Sequence, residues 1–305
     1  MGSLKATHRI KKNYSSKPLA DHEELLLTVH THETMTMATT SSIIDNSSSL
    51  IKLIDTIDSL PTSPPSLYID LGGISPSREG SISILQLFNH PKNHLYLIDI
   101  HVLGREAFTT AATNGKSLRT ILESPDVPKV FFDVRNDSNA FFFHFDIRLQ
   151  GVEDIQLMEN ASRPGFLSRK RFVSGLARCV EHDAPISLSE KRLWKEHKER
   201  GVRLFNPDCG GSYETSNARP LPQAISDCGV YDLTFLPLLR TVYWSKLSPE
   251  WKALVDVATK ERVRASQTLT YQRQTRDKVL SPWQVPISEK GRNSFLGGID
   301  LFGAW

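Results

Sequence analysis

The chain has 305 residues, of which 39% are hydrophobic and 23% charged, and its formal net charge is +3. This length is enough to bury a sizeable core, and no apolar run approaches the ~18 residues of a membrane-spanning helix. The three cysteines lie far apart without a Cys-x-x-Cys pair, which excludes a disulfide framework and argues against a structural zinc site. The first residues lack a secretory signal pattern, so we expect an intracellular protein, in the cytoplasm or the nucleus, with no membrane contact.

The first part of the chain changes from a polar segment to strand-like runs. Residues 1–47 are rich in Ser, Thr and His without a hydrophobic period, which predicts a disordered N-terminal extension. Apolar residues at helical spacing then predict a helix over 48–60, ended by PTSPP. The runs LYIDL (67–71), ISILQLF (82–88) and LYLIDI (95–100) are β-branched or aromatic, and this predicts three strands.

The rest of the chain is mainly helical. A helix over 105–123 is followed by a fourth strand, KVFFD (129–133), and by a helix over 136–145 that begins with capping residues. We therefore expect one α/β domain with a helical C-terminal extension over residues 48–285, followed by a polar tail over 286–305. The clearest late helices are predicted over 187–200, 222–245 and 248–272.

Positive charge is concentrated in residues 169–203, which hold ten Lys or Arg against five acids. Such a segment is either the solvated face of a helix or a patch that faces phosphates. Trp194 lies within it and either stacks on bases or packs in the core. The candidate nucleic-acid-binding residues of the segment are Lys170, Arg171, Lys195 and Lys198.

Three acids stand where α/β proteins often place chemistry. Asp70 ends the first predicted strand, Asp137 opens the helix after the fourth strand, and Asp232 lies in an apolar late helix. An acid in an apolar helix is unfavourable unless it is solvated in a cleft, paired or bound to a cation. These carboxylates are therefore the candidate site residues.

The stretches around these acids follow one another in a set order. They are LYIDLGGISPSREGSISILQLF, KVFFDVRNDSNAFFFHF, GVEDIQLMENASR, GGSYETSNARPLP and VYDLTFLPLL. Together, over roughly residues 48–285, they resemble the 3′–5′ exonuclease domain of the ribonuclease D type, with the Egalitarian-like branch as the nearest match. The resemblance implies a DEDD nuclease with a ribonuclease H-like core, in which a mixed five-stranded sheet is flanked by helices.

The resemblance also assigns roles to individual residues. In the family, four carboxylates hold two Mg²⁺ or Mn²⁺ ions that act on the scissile phosphate. Asp70, Asp137 and Asp232 match three of the four metal ligands. Gly72 stands where the first motif has Glu, and Cys228 stands where the third motif has the catalytic Tyr. Asp154 matches a family aspartate with a structural role.

Both departures weaken the implied site. Residues i and i+2 of a strand share a face, so the motif Glu would join Asp70 in one cluster, and Gly72 has no side chain to offer. A thiol such as that of Cys228 is a weak hydrogen-bonding group. We do not expect Glu79 or Tyr231 to replace the lost groups, and a carboxylate such as that of Asp227 is a poor proton acceptor at neutral pH.

Two functions remain open at this point. One is a 3′–5′ exonuclease-like protein that acts on the 3′ end of single-stranded RNA or DNA, with weakened binding of Mg²⁺ or Mn²⁺ and weak or lost activity. The other is an inactive nucleic-acid-binding or adaptor protein on the same fold, with an unknown protein partner.

Overall fold

β-Branched and aromatic residues form one mixed sheet of six strands. The strands are β1 (Thr40–Ile44), β2 (Leu67–Gly72), β3 (Ile84–Asn89), β4 (His94–Asp99), β5 (Lys129–Phe131) and β6 (Val152–Asp154). Neighbouring strands are antiparallel between β2, β3 and β4, whereas β1, β5 and β6 join the sheet by parallel pairing. The computed structural model describes residues 39–165, 170–224 and 232–283. The order of the strands in the sheet is β1-β4-β3-β2-β5-β6.

The α/β class and the four predicted strand segments are confirmed, but the sheet has one strand more than the resemblance implies. The predicted disordered extension over 1–47 is wrong for Thr40–Ile44, which pairs with β4 in parallel register. This edge strand buries only Ile44 and consists mainly of Ser and Thr, so it carries no hydrophobic period. Residues 1–38 lie outside the described part of the chain.

The helices pack on both sides of the sheet. The predictions over 48–60, 136–145, 187–200 and 248–272 are confirmed within one residue at their starts and within six residues at their ends. Part of the prediction over 222–245, and the predicted tail, lie outside the described residues. No described helix combines the length and apolarity needed to span a bilayer. The helices are α1 (Ser47–Asp58), α2 (Ile100–Leu103), α3 (Glu106–Thr109), α4 (Leu118–Glu123), α5 (Arg135–Phe145), α6 (Ile155–Ser162), α7 (Leu176–Asp183), α8 (Leu188–Phe205), α9 (Leu236–Lys246) and α10 (Pro249–Ser266).

The predicted helix over 105–123 is wrong as a continuous element. It breaks into α3 and α4, which are separated by a turn that contains Gly115 at φ 79°. A positive φ cannot continue a right-handed helix, and glycine adopts it at little steric cost. A new helix then starts at a capping box formed by Ser117 and Thr120.

Two apolar clusters cover the two faces of the sheet. One contains Ile69 and Leu71 of β2, and the other contains Tyr68 of the same strand. Because side chains alternate along a strand, Asp70 and Gly72 lie on the Tyr68 face. This face is covered by α6 to α10, so the helical second half of the chain forms the surroundings of Asp70.

Asp154 has a structural role, as the resemblance implies. Its carboxylate is fully buried and accepts hydrogen bonds from the backbone N–H of Asp133 at 3.0 Å and of Val134 at 3.3 Å. It also caps α6 through the backbone N–H of Gln156 at 3.0 Å, and Arg262 of α10 pairs with it at 2.7 Å. This residue therefore ties the loop before α5 to β6, α6 and α10.

Candidate active site

A cavity of about 250 Å³ opens on the Tyr68 face of the sheet at the carboxyl end of β2. Asp70 from β2, Asp137 from α5 and Asp232, which has helical backbone shortly before α9, all line it. The tertiary structure therefore brings the three predicted carboxylates to one cavity, although they are spread over more than 160 residues of sequence.

Asp70 stands on the strand that forms the floor of the cavity. Solvent reaches it through the cavity, but the protein surrounds it closely. Removal from bulk water, followed by repulsion from Asp232, raises the pKa of Asp70 from 3.8 to about 7. The Lys198 ammonium and the backbone N–H of Leu71 act in the opposite direction.

Asp137 lies in the first turn of α5 and is 9% exposed. Its Oδ1 accepts a hydrogen bond from the backbone N–H of Leu71 at 3.1 Å, which fixes the start of α5 against β2. Burial, followed by repulsion from Asp70, raises the pKa of Asp137 well above its ordinary value. The surroundings of Asp70 and Asp137 therefore disfavour the state in which both carboxyls are ionised.

Asp232 has donors at both oxygens, and both donors come from α8. The indole Nε1–H of Trp194 donates to Oδ1 at 2.9 Å, and the Lys198 ammonium donates to Oδ2 at 2.9 Å. Residues four apart on a helix share a face, so one side of α8 supplies both groups. Trp194 is 1% exposed, so the base-stacking alternative for it is wrong and the core alternative is confirmed.

The place of the missing motif Glu is occupied by a neutral amide. A Cβ at position 72 would lie 3.3 Å from Nε2 of Gln86, which stands opposite Asp70 in the β2–β3 pairing. The Oε1 of Gln86 is buried without a hydrogen-bond partner among the described residues. The uncharged amide of Gln86 therefore stands beside the point where a side chain at position 72 would begin.

The two-metal site implied by the resemblance does not fit the residues present. In the described ranges, no group of three or more His, Cys, Asp or Glu side chains is arranged to hold a metal ion. Asp232 is already paired with a cation, and Gly72 contributes no oxygen ligand. Cys228, the predicted replacement for the catalytic Tyr, lies outside the described residues, as do Asp227 and Tyr231.

The structure corrects part of the predicted nucleic-acid contacts. Lys170 is 3% exposed, and its ammonium donates to the carbonyls of Ala161 and Arg163, so the prediction that it binds phosphates is wrong. Arg171 is half-buried with its guanidinium 5.0 Å from the centre of the Phe172 ring, and it does not line the cavity.

The two predicted basic residues of α8 differ in their surroundings. Lys198 faces the cavity, where it pairs with an acid rather than standing free for a phosphate. Lys195 is exposed and outside the cavity lining, and its contact with nucleic acid stays a prediction.

Sequence reasoning missed a cation at the cavity. Arg273 lines both the cavity and a neighbouring hollow formed with Arg78, Glu79, Gln272 and Gln274. It lies in a stretch without a recognisable motif, far along the chain from the acids, so no local signal identifies it. Glu79 is exposed beside Arg78 and does not line the cavity.

The raised pKa of Asp70 leads to a test of the cavity by pH. The folded chain holds this proton up to about pH 7 and the unfolded chain only to about pH 4, so ionisation of Asp70 destabilises the fold. We expect Asp70→Asn to gain melting temperature relative to wild type as the pH rises from about 4 to about 7. Melting curves at pH 5, 6, 7 and 8 measure this, with the exposed Asp126→Asn as control. A constant difference between Asp70→Asn and wild type would contradict the raised pKa.

Comparisons with known proteins agree with this geometry. Residues 43–176 match the model of a family described as 3′–5′ exonuclease. Trypanosoma brucei RNase D bound to RNA U12 superposes with a TM-score of 0.60 at 17% identity, over 76% of this chain and 72% of that one. The same protein bound to GMP gives 0.59 at 18%, over 75% and 65%. Escherichia coli RNase D gives 0.51 at 18%, over 75% and 51%.

These similarities establish the fold. The chain spans about two thirds of the Trypanosoma protein and about half of the Escherichia coli protein. No curated protein matches the chain at a significant level.

Proposed function

We propose that this chain, part of which matches a 3′–5′ exonuclease family and whose fold resembles that of ribonuclease D, binds the 3′ end of a single nucleic-acid strand in the cavity, with weak or lost hydrolysis. The observation that supports this most is the convergence of Asp70, Asp137 and Asp232 on one cavity at the end of β2. The Trypanosoma brucei RNase D structures hold GMP or RNA U12, which supports the binding of a nucleic-acid strand by the similar fold of this chain.

The proposal of weak turnover depends on the two changes at the acids. Hydrolysis of a phosphodiester requires charges and a water molecule placed within fractions of an ångström. Here one carboxylate position is Gly72 beside a neutral amide, and Asp232 is neutralised by Lys198. Binding requires less accurate placement, so we expect it to survive better than cleavage does.

A second candidate function is nucleic-acid binding without turnover, alone or as an adaptor. The observation that favours it is that both oxygens of Asp232 are already hydrogen-bonded by α8. The cavity also has an apolar wall that includes Phe132 and Leu176, and such side chains can cover the face of a base.

Digestion of end-labelled strands distinguishes the two functions. Wild type and Asp137→Ala are incubated with RNA and DNA of one sequence in Mg²⁺ or Mn²⁺. Release of 3′-terminal nucleotides by wild type alone supports slow exonuclease activity. Equal traces of degradation in both samples indicate a contaminating nuclease and contradict catalysis by this cavity.

Binding is measured separately, by filter retention of the same strands in EDTA. We expect retention to fall steeply as the salt concentration rises, because phosphate contacts release counterions. Absence of binding at low salt, together with absence of cleavage, would contradict both candidate functions and leave a protein-interaction role.

Arg273 is the residue we expect to contact the phosphates nearest the cavity. Arg273→Ala should weaken strand binding several-fold and reduce the slope of log K against log salt by about one, as loss of one phosphate contact does. The matched control is Arg105→Ala, an exposed arginine outside the cavity lining. Equal losses in the two variants would show that only general positive charge matters.

A further inference from the structure

Lys198 is a cation that the fold itself delivers to the acidic cavity. Its ammonium lies 2.9 Å from Oδ2 of Asp232, and both side chains are only 19% exposed. Both residues line the cavity that also contains Asp70 and Asp137. The ammonium therefore pairs with one of the three carboxylates that line the cavity, in the region where the resemblance implies divalent metal.

Contacts with Trp194 and Asp232 hold the Lys198 side chain in place. It follows Trp194 by one turn of α8, and its Nζ lies 5.5 Å from the centre of the Trp194 ring. The indole itself is buried and holds the other oxygen of Asp232. The lysine side chain therefore lies beside the buried Trp194 ring, and its ammonium contacts the Asp232 carboxylate.

The charges of the cavity can be balanced in two ways. Three carboxylates in a partly enclosed space repel one another, and a nearby cation relieves that repulsion. The cation is either a bound metal ion or a lysine ammonium. One place at an oxygen of Asp232 cannot hold both, because an ammonium in contact with the carboxylate excludes a metal ion from the same oxygen.

We propose that Lys198 is a tethered counter-ion that occupies the place of a divalent cation at Asp232, so that a metal ion must displace it in order to bind. The inference rests on the proposed function only in placing the metal and the strand in the same cavity. It adds a second cause, besides Gly72, for the weakened metal binding that we expect, and this cause can be removed by one substitution.

Lys198→Met is the variant that separates charge from packing. Methionine keeps an unbranched stem beside Trp194 but carries no positive charge. Asp232 keeps its hydrogen bond from the Trp194 indole, so its position does not depend on Lys198 alone. The control within the same helix is Lys195→Met, because Lys195 is exposed and does not line the cavity.

The experiment is a titration of the full chain with Mn²⁺ in the absence of nucleic acid, followed by calorimetry or by the paramagnetic signal of free Mn²⁺. We expect Lys198→Met to bind Mn²⁺ at least tenfold more tightly than wild type, whereas Lys195→Met stays within twofold. Lys198→Arg, which retains the charge, should not show the gain. The double variant Lys198→Met/Asp232→Asn should lose it, because the ion then lacks the released oxygen.

Thermal melting checks that each variant is folded. If Lys198→Met does not fold, Lys198→Gln replaces it with the same expectation. Mn²⁺ affinity unchanged or lower in the folded neutral variants, or an equal gain in Lys195→Met, would overturn the proposal. Because no strand is present, this result is independent of whether the chain binds or cleaves nucleic acid.

Discussion

Replacement of Arg262 by Met is expected to lower the free energy of unfolding by about 3–5 kcal/mol, because it leaves a buried carboxylate without its partner. Arg262 is 8% exposed and pairs at 2.7 Å with Asp154, which is fully buried. A second carboxylate, that of Asp133, lies 3.7 Å from the same guanidinium nitrogen. Burial alone would raise the pKa of Asp133, but Arg135 and then Arg262 lower it to about 2.

Urea denaturation of the two proteins measures this loss. The matched control is Arg264→Met, two residues further along α10, where an exposed arginine pairs with an exposed Glu261. An exposed pair of this kind contributes roughly 0–1 kcal/mol. Similar losses in the two variants would show that the contact between Arg262 and Asp154 has no special weight in the fold.

The same substitution should also disturb the cavity. Asp154 holds the backbone N–H groups of Asp133 and Val134, which lead directly into α5 and therefore to Asp137. We expect Arg262→Met to weaken strand binding at temperatures where the variant is still folded, whereas Arg264→Met should leave binding unchanged.

The double substitution Gly72→Glu/Gln86→Ala is expected to raise cleavage of single strands in Mg²⁺ or Mn²⁺ by about 100-fold, the size of effect that one well-placed charged group has at a transition state. Gly72 has a backbone conformation outside the left-handed region, so a side chain is sterically permitted there. A Cβ at this position would press on Nε2 of Gln86 at 3.3 Å, and shortening Gln86 to Ala provides the space.

Initial rates on end-labelled RNA and DNA measure the gain. The control Gly72→Gln/Gln86→Ala has nearly the same shape and no charge, so it separates the carboxylate from the change in packing. Equal rates in the two double variants would contradict the view that a missing carboxylate limits the site. A further increase in the cleavage rate on adding Lys198→Met would show that the missing carboxylate at position 72 and the Lys198 ammonium both limit cleavage.

Much of the sheet, and the positions of the acids, could be predicted from the sequence. The run LYIDL has β-branched and aromatic residues in a short segment, and alternation along it places Asp70 on the face of Tyr68. Asp137 could be predicted as a site residue because it stands at the start of a helix that follows a strand. These are local signals, since a few consecutive residues contain all the information that they need.

The predictions of disorder at Thr40–Ile44 and of a continuous helix over 105–123 were wrong for two different reasons. An edge strand that buries one residue leaves no hydrophobic period, and its pairing with β4 is decided by a segment about 50 residues away. Between α3 and α4 the chain also contains a positive φ at Gly115, which composition alone does not reveal.

The chemistry of the cavity was decided by tertiary structure. The sequence determined that three acids survive and that Glu is absent at position 72. It did not determine that Lys198 would neutralise Asp232 or that Gln86 would fill the space beside Gly72, because these contacts join residues 34 and 14 positions apart through packing of separate elements. For the same reason the basic segment 169–203 could not be read as one surface: Lys170 is buried, Lys198 is paired in the cavity and Lys195 is exposed. The sequence shows which charged side chains the chain contains, and only the fold decides which carboxylate each cation pairs with.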